Sequence, residues 1–371
     1  MRIGVPKEIK NHEYRVGLTP ASVRELSAHG HDLLVETGAG AAIGMGDQAY
    51  RDAGATLAPD AATVFGGADM IVKVKEPQPR ECEMLRQGQV LYTYLHLAPD
   101  PKQTAALVRS GAVCIAYETI TGPGGSLPLL APMSEVAGRM SIQAAASNLE
   151  KSRGGMGVLL GGVPGVPAAN VVIIGAGVVG SNALQMAIGM GARVTVLDKS
   201  IERLRYLDLV FGNRITTRYS TAASLEEAVL DADAVIGGVL VAGATAPKLV
   251  TREMVSRMKK GSVVVDVAID QGGCFETSRA TTHAEPTYLV DGVVHYCVAN
   301  MPGAVARTST LALNNATLPH ALVLADQGWR GAMRADSDLR NGLNICAGKV
   351  MHQAVARDLG YEYFTPEVAL T

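Results

Sequence analysis

Five ionisable side chains stand where a fold alone has no use for them. The stretch 70-MIVKVKEPQP-79 reads as a strand inside a sheet, from Met70, Ile71, Val72 and Val74, yet it carries Lys73 and Lys75. Lysines two apart on a strand project from one face. A buried ammonium is costly unless something negative meets it, so that face is either solvated, paired with an acid, or visited by an anion. His96 ends a second apolar run, 89-QVLYTYLH-96. Arg15 lies in 12-HEYRVGLTP-20, just before a helix start, and Asp270 is the acid of 267-VAIDQGG-273. A guanidinium or ammonium is the natural partner of a substrate carboxylate. A histidine and a carboxylate are suited to moving protons near neutral pH. Each residue also has a plainer reading: Arg15 as a surface ion pair, His96 as a structural strand end, Asp270 as a loop cap. Strand ends in a parallel sheet gather along one edge, so Lys75 and His96 are expected to share a cleft with Asp270 from a second domain.

The elements that must position these groups alternate strand and helix. The runs 2-RIGVP-6, 32-DLLVE-36, 70-MIVKVK-75, 89-QVLYTYLH-96 and 113-VCIAYE-118 have strand character, and 19-TPASVRELSAHG-30 and 101-PKQTAALVRSG-111 read as helices. Thr19 is a natural N-cap with Pro20 at the first helical position. A Gly/Pro-rich passage, 119-TITGPGGSLPLLAP-132, marks a boundary. A helix from Ser134 to about Glu150 and the glycine-rich 154-GGMGVLLGGVPGVP-167 follow. A second series has strands at 171-VVII-174, 193-RVTVLD-198, 234-AVIGG-238, 262-SVVVDVAI-269 and 294-VHYCVAN-300, and the chain turns helical from about Arg307. This alternation predicts an α/β protein with two doubly wound, Rossmann-like domains, each on a mostly parallel sheet. The expected division is a discontinuous first domain, 1–128 plus 307–371, around a second domain, 129–306.

The strongest local signal is 171-VVIIGAGVVGSNALQMAIGMGARVTVLD-198. Gly175, Gly177 and Gly180 form G-x-G-x-x-G directly after a strand and opening a helix, with Val178 and Val179 between the last two. In that context the first glycine permits the tight turn, the second lets a pyrophosphate approach the backbone, and the third lets helix pack on strand. The helix N-terminus adds free N–H groups and partial positive charge. Asp198, ending the next strand, would accept hydrogen bonds from ribose hydroxyls and repel a 2′-phosphate. The motif therefore predicts NAD rather than NADP, with Lys199 and Arg203 tempering the preference. The other strand ends, 239-VL-240, 267-VAIDQGG-273 and 298-VANMPG-303, would face the nicotinamide crevice.

Composition narrows the rest. The chain has 371 residues, 48% apolar and 18% charged, with 41 glycines and few aromatics, which suits many tight βα turns around an aliphatic core. A formal net charge of −2 gives no reason to expect nucleic acid or an anionic membrane as partner. The N-terminal MRIGVPKEIK lacks the apolar stretch of a signal peptide, and no apolar run approaches the ~18 residues of a membrane span. Five dispersed cysteines without a CxxC pair fit reduced thiols, and so a cytoplasmic location.

The motifs together identify a resemblance. Residues 3-IGVPKEIKNHEYRVGLTP-20, 72-VKVKEP-77, 94-YLHLAPD-100, 115-IAYET-119, 132-PMSEVAGR-139, 155-GMGVLLGGVPGV-166, 266-DVAIDQGG-273, 281-TTHAEPTY-288 and 298-VANMPGAVARTST-310 resemble the bacterial L-alanine dehydrogenase family over essentially the whole chain. They are also similar to the NAD-binding subunit of proton-translocating transhydrogenase. The resemblance implies oxidative deamination of L-alanine to pyruvate and ammonium with NAD, two domains that close over a cleft, and a homohexamer. It implies that Arg15 and Lys75 hold the substrate carboxylate or carbonyl oxygen, and that His96 and Asp270 handle protons and the attacking water. Ser134, the Gly175–Gly180 turn, Asp198, Arg203, Ser220, Val239, Leu240, Val267, Ala268, Ile269, Asp270, Lys248, Arg279, Val298, Ala299, Asn300 and Met301 would line the dinucleotide. Met133 or Met301 would wall off a small substrate side chain. The implied reaction needs a carboxylate clamp, a base for the ammonium and water, and an acid for the departing ammonia. Some members of the family hold a divalent ion between the Glu of the AYET motif and a histidine near the C-terminal helices. Glu118 is present, but Gln327 stands where that histidine is sought, so no metal is expected. Two other readings share the scaffold: a non-catalytic dinucleotide module, and a dehydrogenase for a different amino acid or an opine-type substrate. The presence of Arg15, Lys75, His96 and Asp270 together argues for an amino-acid site.

Overall fold

Short aliphatic runs bounded by glycine, proline and capping residues become strands, and the intervening segments become helices. A computed structural model describes residues 1–239 and 246–370. In chain order the first strands are β1 (Arg2–Val5), β2 (Asp32–Glu36), β3 (Thr56–Ala58), β4 (Met70–Val72), β5 (Val90–Thr93) and β6 (Val113–Ala116). A second series follows: β7 (Asn170–Ile174), β8 (Arg193–Asp198), β9 (Ile215–Tyr219), β10 (Ala234–Gly237), β11 (Val263–Asp266), β12 (Thr287–Val290) and β13 (Val293–Tyr296). The chain then returns as the long helix Ala306–Ala335, broken at Gly328, and adds β14 (Leu343–Cys346) and β15 (Lys349–Val350).

The chain divides into two compact units, Met1–Met133 with Val305–Thr371, and Ser134–Ala304. The first sheet runs β15-β14-β6-β5-β4-β1-β2-β3, parallel from β6 to β3, with β14 and β15 added antiparallel. The second runs β12-β13-β11-β10-β7-β8-β9, parallel except for β12. Both contain the doubly wound order in which the chain starts centrally, works to one edge, then jumps back across the first strand. Each therefore has a switch point where neighbouring strands feed loops in opposite directions, between β1 and β4 in one and between β7 and β10 in the other. A crevice forms at such a point beyond the carboxyl ends of the strands.

Several strands are shorter or more numerous than the sequence suggests. The run at 70–75 is strand only to Val72, and the run at 89–96 stops at Thr93, so neither Lys75 nor His96 lies in a strand. The run at 262–269 ends at Asp266 and passes into a 3-10 turn, Val267–Gln271, that carries Asp270. β3, β9, β12, β14 and β15 have no counterpart in the sequence reading. The C-terminal helix is fastened to the first unit by Asn314, whose Oδ1 accepts the Thr19 N–H and the Ser22 hydroxyl, both at 2.8 Å. Its Nδ2 donates to the Gly17 carbonyl. Gly17 must be glycine for close approach, because a Cβ there would lie 2.4 Å from the Val72 carbonyl oxygen.

Candidate active site

In the first unit the residues after β1 and β4 meet at the switch point. β1 pairs with β4 through Ile3–Met70 and Gly4–Ile71 and goes no further, so the amides beyond Val72 lose their strand neighbour on that side. Glu8 replaces it. Its Oε1 accepts the N–H groups of Val74 (2.7 Å) and Lys75 (3.3 Å), and its Oε2 accepts from Lys73 Nζ at 3.2 Å. Lys73 also donates to Glu81 Oε1 at 2.7 Å, and Glu81 Oε2 accepts the Gln78 N–H in a capping box that starts helix Pro79–Met84. Lys73 is fully buried. It is neither solvated nor turned toward a ligand: two buried carboxylates hold it, and their charges raise its pKa above the ordinary value against the opposing effect of burial. Burial raises the Glu8 pKa, and the neighbouring Glu13 and Glu81 charges add to that, against the Lys73 charge.

Arg15 is an ion pair, but a buried one. Its Nε and Nη2 donate to the two oxygens of Glu13 at 2.7 and 2.6 Å, and its Nη1 lies 3.0 Å from Met133 Sδ. Burial opposes the guanidinium charge, and Glu13 outweighs it. The guanidinium is thus pre-oriented before any ligand arrives. Lys75 is half-buried, and its carbonyl accepts from the Thr93 hydroxyl at 3.0 Å.

His96 is positioned by the same device on the next strand. Glu118 accepts the Leu95 N–H at 3.1 Å and the His96 N–H at 2.7 Å. This turns the chain out of the strand, and His96 adopts φ +48°, a left-handed conformation uncommon outside glycine. Its ring stacks on Tyr94, and its Nδ1 lies 4.0 Å from Glu118. Glu76 lies just after Lys75, ahead of the helix Pro79–Met84. Burial works against its carboxylate, yet the charges of Lys75, Lys10 and His96 hold its pKa below the ordinary value.

The second unit carries the glycine turn at its own switch point. Gly175 has φ +95°, and a Cβ on Gly180 would stand 1.8 Å from the Gly175 carbonyl oxygen, so neither position admits a side chain without opening the turn. A Cβ on Gly177 would meet nothing within 4 Å. The helix Val178–Gly189 has no side-chain cap at its N-terminus, which leaves amides to face an anion. Asp198 holds the Ala176 and Ser200 N–H groups, each at 2.7 Å, and each oxygen retains further acceptor capacity. Arg203 braces the turn through the Ala176 carbonyl (2.7 Å) and the Ser181 hydroxyl (2.6 Å). The Ser220 N–H donates to the Asp198 carbonyl, and Val239 lies beside Gly175. These features fit a dinucleotide: a cradle that only glycine permits, uncapped amides at a helix start, and a carboxylate at the next strand end.

Asp266, fully buried at the end of β11, organises the neighbouring loop. It accepts the Ala268 and Cys274 N–H groups and the Ser278 hydroxyl (2.6 Å), so the turn bearing exposed Asp270 is held from beneath. Burial raises the Asp266 pKa against those hydrogen bonds. Lys248 donates to the carbonyls of Gly272, Gly273 and Phe275, and Arg279 lies over the Tyr288 ring at 4.0 Å. Val267 is partly exposed, whereas Ala268 and Ile269 are buried. In the last loop Val298 and Met301 are buried, and Asn300 takes φ +64° with its carbonyl 3.1 Å from His283 Nε2, next to Ala299. Ser134 sits in helix Ala131–Asn148, one turn before Gly138, where a Cβ would strike the Val179 carbonyl. Leu240 lies outside the described residues.

The structure thus gathers Gly175–Gly180, Asp198, Arg203, Ser220 and Val239 in one unit, and Arg15, Lys75 and His96 in the other. The sequence reading missed the acids that hold them: Glu8, Glu13, Glu81 and Asp266. Of these only Glu81 left a local signal, as the fourth residue of 78-QPRE-81, a capping-box pattern.

Two doubly wound α/β units, one with a dinucleotide turn and one with oriented cations and a histidine at strand ends, define a nucleotide-dependent oxidoreductase. The comparisons carry this further. Residues 4–137 match the family described as alanine dehydrogenase/PNT, N-terminal domain, and residues 141–353 match its C-terminal domain. A relative from Halomonas elongata named alanine dehydrogenase is 61% identical over 98% of each chain. A solved L-alanine dehydrogenase superposes with TM-score 0.94 at 52% identity, covering 97% of this chain and 99% of that one. A transhydrogenase from Sinorhizobium meliloti gives TM-score 0.81 at 27% identity, covering 95% and 100%. The chain belongs to the alanine dehydrogenase/PNT family.

Proposed function

We propose that this protein catalyses the reversible, NAD-dependent oxidative deamination of L-alanine to pyruvate and ammonium. The observation that carries the reading is the pairing, in one chain, of a dinucleotide turn ending in Asp198 with a set of pre-oriented substrate groups, Arg15, Lys75 and His96. Full-length identity to alanine dehydrogenases supports the choice of substrate. The lower identity to a transhydrogenase fits a shared scaffold.

In this reading Arg15 and Lys75 hold the alanine carboxylate. Glu13 fixes the guanidinium plane, so little rotamer freedom is lost when the substrate binds. His96 and Asp270 exchange protons with the amine and the water. The Gly175–Gly180 turn receives the pyrophosphate, Asp198 the ribose, and Ser134, Arg203, Ser220, Val239, Leu240, Lys248, Val267, Ala268, Ile269, Arg279 and 298-VANM-301 the remainder of the dinucleotide. Bound NAD supplies the hydride acceptor. The reading extends to a substrate domain of 1–128 plus 307–371, a nucleotide domain of 129–306, a homohexamer and the cytoplasm. Family resemblance supports the hexamer, and five free, buried cysteines suit a reducing compartment.

The test is NADH formation followed by absorbance with a panel of L-amino acids, run with NAD and with NADP. L-Alanine with NAD should be strongly preferred. NADH binding without turnover of any amino acid would favour a non-catalytic module instead.

A further inference from the structure

We propose that Glu8 is a positioning residue for substrate recognition, acting through Lys75. The proposal rests on the reading of Lys75 as a carboxylate ligand. β1 stops pairing with β4 at Ile71, and without a substitute acceptor the Val74 and Lys75 amides would face the switch point unpaired. Glu8 lies three residues past the end of β1, so its side chain continues the ladder that its own strand has left. One oxygen takes both amides, at 2.7 and 3.3 Å, and the other takes Lys73 Nζ.

The acceptor is itself held. Lys73 is clamped from its far side by Glu81 at 2.7 Å, and its carbonyl accepts from the Tyr117 hydroxyl at 3.0 Å. Glu8 is 7% exposed and Lys73 0%, so the arrangement has no water to fall back on. The Lys75 side chain departs from backbone fixed on one side by Glu8 and on the other by the Thr93 hydroxyl.

Glu8→Gln tests this without emptying the space. The amide has one acceptor where the carboxylate had two, so its NH2 must face either the two backbone amides or Lys73, donor against donor. The measurements are KM and kcat for L-alanine and for pyruvate, and the NADH Kd from fluorescence, in Glu8→Gln, Lys75→Ala and the double variant. Glu8→Gln should raise both substrate KM values about tenfold, lower kcat less, and leave NADH Kd within about twofold. Because Glu8 acts through Lys75, adding Glu8→Gln to Lys75→Ala should cost almost nothing more. Effects that multiply in the double variant, or a normal KM in Glu8→Gln beside an impaired Lys75→Ala, would overturn the proposal. Normal alanine turnover in Lys75→Ala would overturn the reading of Lys75 itself, and the proposal with it. Hydrogen exchange on the unaltered protein gives a check that needs no variant to fold. The Val74 and Lys75 amides should exchange as slowly as that of Ile71 inside β4, and exchange at loop rates would overturn the proposal.

Discussion

Replacing Lys73 by methionine keeps the buried stem and deletes the ammonium. Two hydrogen bonds to charged acceptors are lost, at 2.7 Å to Glu81 and 3.2 Å to Glu8, and two buried carboxylates are left without their cation. Such bonds contribute roughly 1.5–3 kcal/mol each, and breaking a buried ion pair from one side costs about 3–5 kcal/mol. The two figures agree, so a loss of about 3–5 kcal/mol is expected at pH 8. The loss should depend on pH in a defined direction. The Lys73 pKa is raised above 10.5, so its contribution is fully present at neutral pH and is lost only as pH rises through that raised value. The Glu8 pKa is already raised above 4.5 in the folded protein and should rise further once Lys73 is gone. The folded variant then holds protons that the unfolded chain releases. Its stability falls as pH climbs from about 4.5 toward that raised value, and recovers on acidification. Trp329 makes this measurable. It is the single tryptophan and lies buried in the C-terminal helix of the same unit, so its fluorescence in urea reports that unit. A loss below about 1 kcal/mol at pH 8, or one that is the same at pH 5 and pH 8, would refute the reasoning.

Asp198→Ala should lower efficiency with NAD and narrow the NAD/NADP gap in steady-state kinetics, and an unchanged preference would place cofactor choice elsewhere. Gly180→Ala puts a Cβ 1.8 Å from the Gly175 carbonyl oxygen. An overpacking strain of about 1–3 kcal/mol carried into the cradle should weaken NADH binding by roughly ten- to a hundredfold by titration. His96→Ala and Asp270→Asn should each slow the chemical step by roughly two to four decades in single-turnover experiments while NADH still binds. Their combined loss should be far less than the product of the two if they act as one unit.

The sequence carried the nucleotide half of this architecture openly, because its signal is local. Gly175, Gly177, Gly180 and Asp198 lie within 24 residues, between two plainly apolar strands. Lys75 and His96 were legible as groups out of place, but not the way they are held. Glu8 is 67 residues from Lys75 in the chain, so no short window contains both, and Glu118, 22 residues from His96, stands at no motif spacing that would tie the two together. The strand ends were overrun for the same reason. Val74 and Leu95 look like strand residues, and it is the remote carboxylates that turn their backbones away. β9 escaped notice because 215-ITTRY-219 is an edge strand with one buried residue and an arginine, and β3 has only three residues. Asp266 was passed over inside an apolar run, although an acid there must bond the loop beyond it.

The central claim is that the α-carbon of L-alanine gives its hydride to NAD on this chain. L-Alanine carrying deuterium at Cα should yield NADH deuterated at nicotinamide C4, pyruvate in equal amount, and a slower rate than the unlabelled substrate in the chemical step. NADH formed without the label, or no transfer from alanine by a folded protein that binds NADH, would contradict it.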